Sequence, residues 1–226
     1  MRITLLSALL FVVQMSFAQS FMPAYNSTFS NDIEVTLNDG TIQKGKVVIY
    51  GMKRMTIKLE NGEKIKVGVM DMKQYRLPAP KSTVLKLLSM GNSTSSVNEL
   101  LNTDFKTAFN TDYFVFKRLL DKKGKPFMAQ LINPGFDNHM QVYLDPNAKE
   151  TGGGKLTGGL VGGEDKSYYI SKGIGSAALF VEKKRYKKSF TTIFEGCPEI
   201  SSRFGEKPEW DDVATHVFFF DQICNK

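Results

Sequence analysis

The chain has 226 residues, of which 42% are hydrophobic and 23% charged, with a formal net charge of +7. Those proportions are ordinary for a globular protein and exclude a disordered or collagen-like one. The basic surplus points toward anionic partners such as lipid headgroups or acidic polysaccharide, or simply to a well-solvated surface.

The first 18 residues read as a cleavable secretory leader. Arg2 supplies the positive start, Ile3 to Val13 an apolar run interrupted weakly by Thr4 and Ser7, and Ser16-Phe17-Ala18 a small-x-small site. Cleavage is expected between Ala18 and Gln19. The apolar run of 11 residues is too short to cross a bilayer core about 30 Å thick. Downstream, no apolar run reaches the roughly 18 residues that a spanning helix needs. Without the leader, the charge becomes 29 basic minus 23 acidic side chains, or +6.

Residues 19–31 are polar and carry Pro23, Asn26 and Ser27, so a flexible arm is expected. Residues 32–77 form a module of short strands. Ile33 to Leu37 alternates apolar and polar residues, the mark of a half-buried strand. Asn38-Asp39-Gly40 and Asn61-Gly62 are hairpin turns, because Asp-Gly and Asn-Gly accept positive φ. Ile42 to Tyr50, Met55 to Leu59, and Ile65 onward supply the intervening strands. Strands this short must curl into a barrel or pack against another element. The spacing of Val35, Leu37, Gly40, Gly45 and Val47 resembles the first motif of Sm-like proteins and related SH3-like barrels. That resemblance implies a small β-barrel-like meander. Sm-like proteins bind RNA, but export removes that partner, so no nucleic acid is expected.

Residues 78–111 read as a linker with helices. Pro78-Ala79-Pro80 breaks the sheet pattern. Val84 to Leu88 suggests one short helix. Ser96 to Glu99 is a capping box ahead of Val97, Leu100, Leu101, Phe105 and Phe109 at helical spacing, a core stripe.

Residues 112–226 read as an antiparallel sheet of about five strands with C-terminal helices, giving an α+β chain overall. The strands are placed at Tyr113–Leu120, Phe127–Ile132, Met140–Leu144, Tyr168–Ile170 and Ala177–Val181. Residues 151–163 hold seven glycines, yet Lys155 is followed by Leu156, where a phosphate-binding loop needs Ser or Thr. Lys183, Lys184, Arg185, Lys187 and Lys188 are the densest basic cluster and open an amphipathic helix carrying Phe190, Ile193 and Phe194. They are candidate contacts for an anionic surface, or else a solvated helix end. Pro208 with Glu209, Asp211 and Asp212 marks the start of a last helix whose buried face holds Trp210, Val213, Ala214, Val217 and Phe220. Cys197 and Cys224 are the two cysteines, and export to an oxidising compartment pairs them as one disulfide.

The runs Val142-Tyr143-Leu144-Asp145-Pro146, Ser167-Tyr168-Tyr169-Ile170 with Lys172, Tyr186 to Phe190, and Phe194-Glu195-Gly196-Cys197-Pro198 resemble uncharacterised exported proteins of Gram-negative, Bacteroidetes-type bacteria. Those proteins also end on a helix with a final cysteine. The resemblance implies a periplasmic, outer-surface or secreted location and brings no activity.

His139 and His216 have no His or Cys neighbour at metal-ligand spacing, and no Gly-x-Ser-x-Gly elbow occurs. Catalytic, cofactor and metal residues are therefore not expected. The sequence favours an exported, non-enzymatic protein that binds an envelope partner, either a protein or an anionic glycan or lipid. The alternative is a hydrolase of envelope polymers, which needs His139 or His216 beside a carboxylate in a deep cleft. Intact-mass measurement on protein from its native host should find a chain starting at Gln19 with no free thiol; retention of Met1 with two thiols contradicts the export reading.

Overall fold

The computed structural model describes residues 21–22, 24–25, 31–51, 53–79, 109–121, 123–148, 167–173 and 177–224. The leader with Ala18 and Gln19, the helices expected before Phe109, and the glycine-rich stretch 151–163 lie outside the described residues. The class is α+β, as the sequence implies.

Seven strands form one antiparallel sheet: β1 (Asp32–Leu37), β2 (Ile42–Ile49), β3 (Arg54–Leu59), β4 (Lys64–Gly68), β5 (Met72–Pro78), β6 (Tyr113–Leu120) and β7 (Pro126–Gln130). Their spatial order is β4-β3-β2-β1-β5-β6-β7. The β1–β2 and β3–β4 turns are built from the expected chemistry. Gly40 and Gly62 take φ of 93° and 88°. One residue ahead of each, Asp39 and Asn61 accept hydrogen bonds from the amides of Thr41 and Glu63. Gly45 has a different reason. It sits in β2 opposite Ile33 and Leu59, and a Cβ there would come within 2.3 Å of the Lys58 carbonyl oxygen.

Among the described residues no barrel closes, against the expectation for 32–77. β5 uses one hydrogen-bonding edge on β1 and gives the other to β6, from Gln74 opposite Lys117 to Pro78 opposite Tyr113. β4 is left as an edge, with β7 at the far side. The sheet thus continues across the 78–111 segment.

The five-stranded second sheet is corrected for the same reason, since β6 and β7 belong to the first. β8 (Met140–Leu144), β9 (Ser167–Lys172) and β10 (Leu179–Glu182) form a separate sheet in the order β10-β9-β8. A bridge from Leu131 to Tyr143 joins the two sheets at a corner.

Three cores follow. Ile33, Val35, Met55, Ile57, Met72, Tyr75 and Leu77 close over Phe114 and Phe116 on the inner face of the large sheet. Leu119, Ala129, Leu131, Tyr143 and Tyr169 fill the space between the sheets. The other face of the small sheet, with Met140, Val142, Tyr168 and Ile170, packs on α1 (Tyr186–Ile193), α2 (Pro198–Phe204) and α3 (Val213–Ile223). β8 is therefore buried on both faces, although its sequence alternates. The arm expected over 19–31 is tied down where it is described. The Met22 amide donates to the Ile132 carbonyl at 2.7 Å, and the Tyr25 amide to Gln130 Oε1 at 2.7 Å.

The last helix begins at Val213, five residues after Pro208. Trp210 is spent on packing, its ring stacked on Tyr168 with centroids 5.1 Å apart. The disulfide joins Cys197 to Cys224 with Cα atoms 5.3 Å apart across 27 positions, tying the start of α2 to the end of α3. Cys224→Ser should cost about 3 to 4 kcal/mol in the chain-entropy model. Calorimetry should then record a melting temperature lower by about 10 °C, matched by the reduced wild type.

Candidate functional site

The basic cluster singled out in the sequence is charge-compensated. Lys183 lies 3.4 Å from Asp211, Lys184 3.2 Å and Arg185 3.4 Å from Glu182, and Lys187 2.7 Å from Glu209. Lys188 is exposed. Each pair contributes little stability at an exposed site, but together they cancel most of the cluster's field. A short 3-10 turn over Lys183–Arg185 precedes α1, so these cations sit on its lead-in.

A larger basic surface arises from strand register. Lys46 stands opposite Lys58, and Lys58 opposite Lys64, in a row across β2, β3 and β4. Thr56 stands opposite Lys66 one step along. Directly opposed residues share a face, and so do residues two apart on a strand. Lys44, Lys46, Arg54, Lys58, Lys64 and Lys66 therefore share the outer face, while Met55, Ile57 and Val67 occupy the inner core. Lys44 reaches Glu34 at 3.2 Å and Lys46 reaches Asp32 at 3.8 Å. Partial burial raises the Glu34 carboxyl, but Arg76 and Lys44 beside it hold it below the usual carboxylate range. Among the described residues, no carboxylate lies within ion-pair distance of Arg54, Lys58, Lys64 or Lys66. Like charges placed opposite one another in a sheet are destabilising by a few tenths of a kcal/mol per pair. Folding alone does not call for this row.

The same face changes character at the end of β2. Val48, Ile49 and Tyr50 are 48%, 62% and 53% exposed. Ile49 stands opposite Thr56 after a register shift past Val47, which brings it onto the lysine face. Tyr50 keeps its hydroxyl on that of the buried Tyr75.

The histidines are placed otherwise. Asp221 closes the loop before β8, accepting the His139 amide at 2.9 Å and Asn138 Nδ2 at 3.0 Å. The His139 ring Nδ1 is 3.6 Å from the same carboxylate. A depression of about 270 Å³ is lined by Ile170, Lys172, Ala177, Leu179, Thr192 and Ile193 and contains neither histidine. Lys172 spends its ammonium on the carbonyls of Thr192 and Glu195 at the end of α1. Donor atoms of Cys197, Glu199 and Cys224 lie within 4.8 Å of one another, but the two sulfurs are bonded together.

His216 is buried, with Nδ1 2.7 Å from the Tyr186 hydroxyl and the rings of Phe190, Phe194 and Phe204 around it. Burial pushes its imidazole down to about 4 and the Tyr186 hydroxyl up.

No family model, curated protein or solved structure matches the chain. The reading of the site therefore rests on its geometry.

The sequence reading missed the sheet surface because its lysines are never contiguous. The available signal was lysine at every second position of successive hairpin strands, as in Lys44/Lys46 and Lys64/Lys66.

Protonation of the buried His216 opposes folding. An unfolded chain takes up this proton near pH 6.5, whereas the fold resists until about pH 4. Its stabilising contribution is full above pH 6.5 and is lost as pH falls toward 4. Urea titrations should show the wild type losing about 3 kcal/mol more than His216→Phe across that window; equal pH profiles for the two proteins contradict the assignment.

Proposed function

We propose that the chain is an exported, non-enzymatic binding protein that holds an anionic partner of the cell envelope on the outer face of β2–β4. One observation carries this reading: four cations on that face, Arg54, Lys58, Lys64 and Lys66, have no carboxylate partner among the described residues. They are set by register beside Lys44 and Lys46. Neighbouring strands lie about 4.8 Å apart and alternate residues about 6.8 Å apart along each strand. The result is a flat grid of ammonium groups that suits closely spaced negative charges. The leader, the Cys197–Cys224 disulfide and the resemblance to exported Bacteroidetes-type proteins support a periplasmic, outer-surface or secreted location.

The hydrolase alternative has His139 near Asp221 in its favour. That carboxylate, however, is engaged by the Asn138 side chain and the His139 amide in closing a loop. Binding is the better supported reading.

On a dextran sulfate column, Lys58→Gln/Lys64→Gln/Lys66→Gln should elute at clearly lower salt than wild type. At about 1 kcal/mol per lysine, its affinity should fall roughly 100-fold at low salt. The matched triple Lys183→Gln/Lys184→Gln/Lys187→Gln, which removes compensated charges, should elute close to wild type. Equal losses for the two variants overturn the assignment to the sheet.

A further inference from the structure

We infer that the anionic partner is the headgroup layer of a lipid bilayer, and that the end of β2 is a wedge entering it. This rests on the reading of the lysine face as the binding surface and names its ligand.

Two unlike features are juxtaposed on one face. Ile49 stands opposite Thr56, and Thr56 opposite Lys66, so an exposed aliphatic side chain is in line with an unpaired cation. Val48 precedes it at the register shift, giving two consecutive exposed aliphatic residues, while Tyr50 turns to the other side, where its ring meets that of the buried Tyr75. Lys53 and Arg54, the first residue of β3, follow shortly in the chain, and a Cβ on Gly51 would lie 2.8 Å from the Arg54 carbonyl oxygen. A polysaccharide or polyphosphate in water answers the lysines but gives the Val48–Ile49 tip no apolar surface to bury. An anionic bilayer answers both: phosphates meet the ammonium groups, and the tip enters the boundary between headgroups and acyl chains. The arrangement matches other interfacial binders, in which a short apolar insertion is ringed by cations and neither part suffices alone. The register shift past Val47 turns this stretch at the tip of the hairpin.

The test is co-sedimentation of the purified protein with vesicles of phosphatidylcholine carrying a minority of phosphatidylglycerol. Pure phosphatidylcholine vesicles and the dextran sulfate column run in parallel. Wild type should sediment with the anionic vesicles and not with the neutral ones. Ile49→Asn should partition about tenfold less onto anionic vesicles, with unchanged elution from dextran sulfate, because it removes apolar surface without adding charge. Ile49→Ser should lose binding in the same direction, and Ile49→Leu should keep it. Far-UV circular dichroism confirms that each variant is folded, as expected for an exposed position. Lys64→Gln/Lys66→Gln should weaken both interactions. Vesicle binding that Ile49→Asn leaves unchanged overturns the wedge. Retention on dextran sulfate without vesicle binding overturns the lipid assignment and leaves a soluble polyanion as the partner. Failure on both supports overturns the reading of the lysine face itself.

Discussion

The arrangement depends on how β5 uses its two hydrogen-bonding edges. β1 takes one and β6 the other. In a closed five-stranded barrel, the last strand turns back on the module's own strands and the outer surface becomes convex. Here the second edge is spent on a strand from beyond residue 111, so among the described residues the sheet stays open and β4 is an edge. Everything later in the chain then hangs on β6 and β7. The small sheet covers their outer side through Tyr143 and Tyr169, and the helices cover the small sheet in turn.

One sheet therefore has two very different ends on its outer side. At the covered end, Lys117 lies beneath the second layer, where burial lowers its pKa and Asp137 partly offsets that. Burial raises the Asp137 carboxyl in return. At the uncovered end, six cations stand in water at little cost, because solvent and salt screen lysines that face one another. Placed under β8–β10, the same row would face the desolvation penalty visible at Lys117. The open end is the one region of the described sheet that can carry such a charge density.

Much of the fold was legible, because hairpin chemistry is local. Asp39-Gly40 and Asn61-Gly62 announced their turns, and alternation located β1 to β3 within a residue or two; the strand read from Ile65 toward Tyr75 instead breaks at Val69–Asp71 into β4 and β5. Apolar spacing at Phe190, Ile193, Val213, Val217 and Phe220 located the helix faces. Pairing beyond the hairpins was not legible, since nothing local tells β5 whether its second edge goes to β4 or to β6. The alternation of Met140, Val142 and Leu144 misled for a related reason. Gln141 is polar yet buried, because the Tyr143 hydroxyl donates to it at 2.6 Å beneath the large sheet. The candidate site was the least legible part. Contiguous lysines at 183–188 stand out in a linear reading but fold onto Glu182, Glu209 and Asp211. Lysines from three strands assemble only once their register is known.

The two lysines of β4 lie on the margin that the β5–β6 pairing leaves open. Exposed sheet margins invite docking by a second copy, and lysines are a common deterrent. On the proposed function, Lys64 and Lys66 serve two ends at once, repelling another molecule of this chain and attracting an opposite charge. A polyanion bound there would neutralise the deterrent, which couples occupancy to side-by-side pairing through the same two ammonium groups.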